Sequence, residues 1–134
     1  MTVVKSSVVP VTTEADVVKV RQAVRAVAVE IKLSLVDQTK VVTAASELGR
    51  NLLIYGGGGE VLLDIVREGL RQGVRAAFVD HGPGIADIEQ ALKDGFTSGG
   101  GMGLGLGGAK RLVNDFSIVS SAAEGTRVTI TKWR

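Results

Sequence analysis

The chain has 134 residues, of which 45% are apolar, with a net charge of +2 and no cysteine. This length suits one domain with a hydrophobic core, and the absence of cysteine excludes disulfides and thiolate metal sites. No apolar run approaches the roughly 18 residues of a membrane span, and the N-terminus has no signal-peptide pattern. We therefore expect a single domain over residues 1–134, without a membrane partner, in a cytoplasmic protein.

The charged residues also argue against a nucleic-acid partner. Basic residues are interleaved with acidic ones along the chain, and aromatic residues make up 4% of it. Nucleic-acid binders usually show a basic stripe, often with aromatic stacking platforms, and the sequence has neither.

The first half of the chain predicts one strand and two helices. Residues 3–11 are rich in valine and indicate a strand. Thr13 and Asp16 have the spacing of a helix-capping box, and valines recur at helical spacing to about residue 33, although the β-branched content leaves a strand as the alternative. Ser34 and Asp37 repeat the capping pattern and open a second helix, which the glycines at 56–59 end near residue 54.

The second half predicts four strands and two helices. Residues 60–66 and 74–80 are apolar segments on either side of a turn and indicate a hairpin. A short helix at 85–93, a helix at 104–115 and strands at 116–122 and 127–133 follow. Since several strands follow each other directly, the fold class is α/β: a two-layer sandwich whose mixed, mostly antiparallel sheet carries helices on one face.

Polar residues on the second helix form the first candidate site. Glu47 and Asn51 are four residues apart and therefore share one helix face. A carboxylate beside a carboxamide suits a hydroxyl-proton acceptor next to an oxygen ligand for Mg²⁺. The alternative is an ordinary solvated face of the helix.

The second candidate site is the stretch DHGPGI, residues 80–85. Asp80 ends an apolar strand, a common location for ligand contacts in α/β folds. Gly82 and Gly84 leave the backbone bare on either side of a proline, so a flat ligand can approach it, and Asp80 can accept from an amino group. The alternative is an ordinary turn that contains an aspartate.

The third candidate site is TSGGGMGLGLGG, residues 97–108, of which seven are glycine. A glycine-rich loop before a helix directs several backbone N–H groups at an anion, so the stretch predicts phosphate contact. It is not a P-loop, because no Lys-Ser or Lys-Thr follows the glycines. It is not the dinucleotide fingerprint either, because no strand immediately precedes it. A flexible linker is the alternative.

In this order, the ExxxN helix, the DxGxGI turn, the GxGLGL loop and a Gly-Thr turn between closing strands resemble the GHKL (Bergerat) ATP-binding fold. The resemblance runs over residues 10–133. The family includes gyrase-type ATPases, Hsp90, MutL, histidine kinases and anti-sigma-factor serine/threonine kinases. The chain length fits the last branch. Within it, the stretches SELGRN, DHGPGI, DGFTSGGGMGLGLGGAKRL and EGT are similar to the stressosome switch kinases.

The resemblance implies roles for individual residues. Glu47 is expected to be the catalytic base or the residue that orients the acceptor hydroxyl, and Asn51 is expected to bind Mg²⁺. Asp80 is expected to accept from the adenine amino group. Helix geometry, and not the resemblance, predicts that Arg50 meets a phosphate, because Arg50 is within reach of the face that carries Glu47 and Asn51. The other expected nucleotide-binding residues are those of the adenine pocket, Gly82, Gly84, Ile85 and Thr126, and those of the phosphate lid, Gly101, Met102, Gly103, Leu104 and Gly105.

The function implied is an ATP- and Mg²⁺-dependent protein serine/threonine kinase. Its expected phosphoacceptors are STAS-domain scaffold and antagonist proteins, after which it would bind and activate a PP2C-type phosphatase in partner-switching control. Two alternatives stay open. One is an ATP hydrolase of the gyrase or Hsp90 kind, in which Glu47 would orient water. The other is a non-catalytic binding module gated by nucleotide.

Overall fold

A computed structural model describes residues 1–82 and 106–134 of the chain. These residues form a five-stranded sheet and three helices. In chain order the elements are β1 (Thr2–Val11), α1 (Glu14–Glu30), α2 (Leu35–Ile54), β2 (Gly59–Glu68), β3 (Arg71–Asp80), α3 (Leu106–Leu112), β4 (Asp115–Ser121) and β5 (Gly125–Trp133). The helix expected at 85–93 lies outside the described residues. Within them, no helix has both the length and the apolar character needed to cross a bilayer.

The sheet has the strand order β1-β2-β3-β5-β4, and each neighbouring pair is antiparallel. The last strand of the chain therefore lies between β3 and β4. A two-residue turn joins β2 to β3, and its Gly69 has a φ of 63°. A glycine with positive φ at the first turn position is the signature of a type II′ hairpin. The expected α/β sandwich, with a mostly antiparallel sheet, is confirmed.

The core lies between one face of the sheet and the helices. Buried residues alternate along β2 from Val61 to Ile65, as the period of two in a strand requires, whereas β3, between β2 and β5, is buried over most of its length. The buried residues of α1 recur every three or four positions, which confirms the helix over the alternative strand. The buried core residues of these four elements include Val61, Leu63, Ile65, Val74, Ala76 and Phe78 from the sheet, and Val17, Val20, Val24, Ala28, Val41, Val42, Ala44, Ala45, Leu48 and Leu52 from α1 and α2.

Both expected helix starts are confirmed. The Asp16 backbone N–H donates to Thr13 Oγ1 (3.4 Å), and Asp16 Oδ2 accepts from the Thr13 N–H (3.1 Å), which completes a capping box. At α2 the Ser34 hydroxyl accepts from the Asp37 N–H at 3.1 Å. The Asp37 carboxylate lies 3.5 Å from Lys132 Nζ, so this cap also links α2 to β5.

The sequence prediction was wrong about the end of the helix that follows the glycine tract. The helix ends at Leu112 instead of residue 115, and β4 already begins at Asp115. Asn114 explains the early end: its N–H donates to the Thr131 carbonyl, and its Oδ1 accepts from the Trp133 N–H at 2.8 Å. These bonds to β5 draw the backbone into the sheet.

Truncating the cap of α1 tests its contribution to folding. Thr13→Ala is expected to lower the free energy of unfolding by about 1 kcal/mol, because one backbone N–H of the first turn loses its acceptor. Urea unfolding followed by circular dichroism measures the change. Thr39→Ala, on the exposed face of α2, is the control and is expected to have little effect, since alanine favours a helix interior. An equal loss in both variants would contradict the role of the cap.

The same cap predicts a dependence on pH. Hydrogen bonds from the Thr12 backbone and neighbouring groups lower the pKa of Asp16 from its ordinary value of 3.8. A carboxyl whose pKa is lowered by folding stabilises the fold above the unfolded pKa, and this contribution is lost as pH falls through the folded pKa. The stability difference between the parent and Asp16→Asn is therefore expected to be constant well above pH 3.8 and to shrink below it. An NMR titration of Asp16 that gave an unshifted pKa would contradict this.

Candidate nucleotide site

Asp80 is the central residue of the candidate site. It ends β3 and points to the same side of the sheet as the buried Phe78, toward the helices. Its exposed fraction is 9%. Its Oδ1 accepts from the Gly82 N–H (2.9 Å) and from the Thr126 N–H (3.1 Å). Two backbone donors thus compensate a buried carboxylate and fix its direction.

Three glycines, Gly56, Gly82 and Gly125, crowd around Asp80, and of these the sequence motifs predict a site role only for Gly82. A Cβ atom on Gly56 would lie 2.6 Å from Asp80 Oδ2, so this oxygen faces bare backbone. A Cβ on Gly82 would lie 3.1 Å from the Gly56 Cα. Gly125 has a φ of 84°, and its Cβ would lie 2.4 Å from the Asp80 carbonyl oxygen. The close approaches at Gly56 and Gly125 require glycine, and the contact at Gly82 is tight.

The other two glycines lie in stretches whose local pattern predicts a different role. Gly56 opens the GGGG run, which predicts the end of α2. Gly125 belongs to the EGT stretch, which predicts a turn between strands. Their contact with Asp80 joins segments far apart in the chain, so local pattern could not reveal it.

Thr126 and Ser120 add hydroxyl groups beside the carboxylate. The two hydroxyl oxygens lie 2.8 Å apart across the β4–β5 pair, where the two residues are direct partners. Thr126 is 8% exposed. Ser120 was not predicted as a site residue, since an isolated serine in a strand gives no signal of function.

A small cavity opens beside these groups, between the sheet and the helices. Its walls are largely apolar, and three polar side chains converge on it. This combination fits a flat heteroaromatic ring with an exocyclic amino group, because the walls desolvate the ring and the carboxylate accepts from the amine. The residues that line the cavity are Leu48, Asn51, Leu52, Phe78, Asp80, Leu106, Thr126 and Val128.

The two predicted site residues of α2, Asn51 and Glu47, differ in their exposure to solvent. Asn51 is half-buried and lines the cavity. Glu47, one turn earlier, is 41% exposed at its side chain and lies 3.8 Å from the Arg50 guanidinium. Glu47 is therefore open to a group that arrives from solvent, with Arg50 beside it. An exposed pair at this distance contributes little to stability.

The Asn51 carboxamide, predicted from the sequence as a magnesium ligand, lies at the cavity. Among residues 1–82 and 106–134, no group of three or more His, Cys, Asp or Glu side chains could hold a metal ion by itself. Mg²⁺ commonly takes one or two protein oxygens and otherwise water and phosphate oxygens. The donor set thus fits a magnesium ion that arrives with a nucleotide and does not fit an all-protein metal cage.

The remaining predicted nucleotide-binding residues lie outside the described residues: Gly84, Ile85, Gly101, Met102, Gly103, Leu104 and Gly105. The described chain resumes at Leu106, which is 3% exposed, and α3 packs against α2. Leu106 lines the cavity together with Leu48 and Leu52 of α2. The end of the glycine-rich stretch is therefore anchored at the candidate site.

The chain is similar to several known proteins. Residues 9–132 match the histidine kinase-like ATPase domain family. The chain is 43% identical over 127 residues to the serine/threonine-protein kinase RsbT of Bacillus subtilis, covering 95% of this chain and 96% of that protein. It is 29% identical over 119 residues to the anti-sigma F factor of Anoxybacillus flavithermus, covering 84% of this chain and 80% of the relative.

A solved structure supports the fold. The crystal structure of the RsbU and RsbW domains of Rv1364c from Mycobacterium tuberculosis matches with a TM-score of 0.66 at 23% identity. The match covers 97% of this chain, which spans about a third (33%) of the solved one. At this identity the likeness concerns the architecture alone.

Filling the space beside Asp80 tests the site. Gly56→Ala is expected to weaken nucleotide binding at least about tenfold, because the new methyl group would displace the Asp80 carboxylate. Isothermal titration calorimetry with ATP and Mg²⁺ measures the effect. Gly49→Ala, on the side of α2 that faces α1, is the matched control, because a Cβ there would meet Val17 Cγ1 at 3.7 Å, an ordinary van der Waals contact. ATP affinity equal to the parent's in a folded Gly56→Ala variant would contradict the assignment.

Proposed function

Since the chain belongs to the histidine kinase-like ATPase domain family and, within it, to the RsbT-type serine/threonine-protein kinases, we propose that it phosphorylates STAS-domain proteins with Mg-ATP. The phosphoacceptors would be a scaffold protein and an antagonist protein. The observation that carries the nucleotide assignment is the buried, doubly hydrogen-bonded Asp80 carboxylate beside an apolar cavity.

Asp80 would recognise the adenine amino group. The backbone bonds from Gly82 and Thr126 occupy Oδ1, while Oδ2 faces the backbone of Gly56. A carboxylate that is already held costs little to orient when the ligand binds. The Thr126 hydroxyl lies on the same side of the sheet and would support the ring.

Asn51 would hold Mg²⁺ through its carboxamide oxygen. Magnesium bound with ATP neutralises charge on the phosphate groups. We assign the phosphate groups to the side of the cavity on which α2 and the start of α3 meet. In this proposal Gly101, Gly103 and Gly105 contribute backbone N–H groups there, together with Met102 and Leu104, and Gly84 and Ile85 complete the adenine pocket.

Glu47 would accept the proton of the attacking hydroxyl or orient it. The accessibility of its carboxylate supports this role, because the acceptor belongs to another protein and approaches from solvent. Arg50, next to Glu47, would face a phosphate group. Phosphoryl transfer is catalysed mainly by positioning and charge stabilisation, which these residues can supply without covalent chemistry.

The partner-switching part of the proposal rests on the relatives. The names of the two relatives are those of a serine/threonine kinase and an anti-sigma factor. We infer that this chain, after phosphorylating its STAS-domain partners, binds and activates a PP2C-type phosphatase, and that it does so in the cytoplasm. A hydrolase of the gyrase or Hsp90 kind and a nucleotide-gated binding module are the alternatives that the experiment must separate.

Removing the Glu47 carboxylate distinguishes these functions. Glu47→Ala is expected to slow phosphorylation of a STAS partner about 10²–10⁴-fold while ATP affinity changes little, because the side chain lies outside the cavity lining. Labelled ATP with the STAS partner, and calorimetry with ATP, provide the two measurements. Glu30→Ala, which removes another exposed glutamate, is the matched control.

Two further variants separate nucleotide binding from the transfer step. Asp80→Asn is expected to lose ATP binding, and Asn51→Ala to lose Mg²⁺-dependent turnover. Rapid phosphate release without any partner would favour the hydrolase. Unchanged phosphorylation of the partner by Glu47→Ala would contradict the kinase mechanism, and a parent chain that binds ATP but phosphorylates no STAS partner would favour the binding module.

A further inference from the structure

Two hydroxyl side chains interrupt an apolar stripe next to the nucleotide site. On the core-facing side of β4, Ile118 packs against the hydrophobic core and pairs with buried Val128 of β5. One step further toward the nucleotide end, the core-facing pair consists of Ser120 and Thr126. Both strands thus change from apolar residues to hydroxyl residues at the same cross-strand pair.

The two hydroxyls satisfy each other within the sheet. Thr126 is 8% exposed and Ser120 is half-buried, and their hydroxyl oxygens lie 2.8 Å apart. Burying a hydroxyl costs free energy unless it is hydrogen-bonded, and this contact supplies the bond. Cross-strand hydroxyl pairs and aromatic or β-branched pairs stabilise a sheet to a comparable extent. The stability of the sheet therefore does not distinguish the two kinds of pair.

The direction of this hydrogen bond decides what the cavity offers to a ligand. The pair has two hydroxyl protons, and only one of them can lie between the two oxygens. If Ser120 donates, the Thr126 oxygen accepts, and the Thr126 proton is available to the cavity that Thr126 lines. If Thr126 donates, only its lone pairs face the cavity. Ser120 is not among the lining residues that the structure describes, so it acts on a ligand through Thr126.

The amino edge of adenine needs an acceptor and a donor side by side, because its amino group donates and the neighbouring ring nitrogen accepts. The ionised Asp80 carboxylate can only accept, and its Oδ1 already accepts from the Gly82 and Thr126 N–H groups. Asp80 therefore matches the amino group and leaves the ring nitrogen without a donor. The Thr126 hydroxyl, beside the carboxylate, supplies that donor only if Ser120 donates to Thr126.

We propose that Ser120 is a positioning residue for nucleotide recognition. Its hydroxyl donates to Thr126 Oγ1 and so directs the Thr126 proton to the ring nitrogen next to the adenine amino group, directly or through one water. The inference rests on the proposed function. Asp80 and Thr126 together then match adenine and oppose a 6-oxopurine, whose corresponding edge carries a carbonyl and an N–H. Hydrogen bonds in such a chain strengthen one another.

Two nucleotide analogues test the direction of the bond. The analogue 1-deaza-ATP keeps the amino group and lacks the ring nitrogen, whereas purine riboside triphosphate keeps the nitrogen and lacks the amino group. We expect the parent to bind ATP about tenfold more tightly than 1-deaza-ATP, and Ser120→Ala to reduce this preference to about threefold or less. The preference for ATP over purine riboside triphosphate, which reports on Asp80, is expected to stay the same. Calorimetry in the presence of Mg²⁺ measures all three affinities.

Further variants separate positioning from a merely structural role. Ser120→Thr keeps the donor and is expected to retain the parent's preference, while Ser120→Cys, a weak donor of similar size, is expected to behave like Ser120→Ala. Ser117→Ala, on the exposed side of the same strand, is the matched control and is expected to bind like the parent. Thr126→Val removes the hydroxyl through which Ser120 acts, so Ser120→Ala is expected to add no further loss of ATP affinity in that background. Thermal midpoints identify any variant that does not fold.

The other outcomes overturn the proposal. Equal binding of ATP and 1-deaza-ATP by the parent shows that Thr126 does not donate to the ring. An undiminished preference in folded Ser120→Ala and Ser120→Cys removes Ser120 from recognition. Losses that add up in the double variant assign Ser120 a role independent of Thr126. In each of these cases the parent still binds ATP and the proposed function stands, whereas a parent chain that binds no ATP overturns both.

Discussion

A buried carboxylate needs hydrogen-bond donors, and the way in which the fold supplies them to Asp80 organises the nucleotide end of the molecule. The backbone ladder between β3 and β5 has its last register pair at Val79 and Arg127. One residue further, the Thr126 N–H donates to the Asp80 side chain. The same oxygen accepts from Gly82, so the end of β3, the following turn and the start of β5 are joined at one atom.

The glycines follow from this constraint. Three backbone segments converge on one carboxylate, and at Gly56 and Gly125 a side chain would occupy the space of the aspartate or its carbonyl oxygen. In the middle of a helix or strand, where alanine would also fit, glycine lowers stability by about 0.5–1 kcal/mol relative to alanine. Here no other residue permits the approach. The apolar walls from α2, α3 and the sheet then form a cavity whose polar groups already point inward.

The antiparallel sheet gives the molecule two chemically different ends. Hydrophobic packing of α1 and α2 against one face holds the strands, and this packing is independent of what the strand ends carry. One end presents the carboxylate, the carboxamide and the hydroxyls of the candidate nucleotide site. The other presents arginines around an exposed leucine.

The sequence by itself determined the α/β class, the two long helices with their caps, and the principal strands, because hydrophobic periodicity and capping chemistry are local. It also singled out Glu47, Asn51 and Asp80, since each lies in a short motif. Only the tertiary structure decided where α3 ends, because Asn114 is drawn to β5 by bonds across the sheet. It alone revealed Gly56 and Ser120 beside the candidate site. Arginines at 67, 71 and 134 are interleaved with acidic residues or far apart in the sequence. They form one surface because antiparallel pairing brings the end of β2, the start of β3 and the end of β5 together.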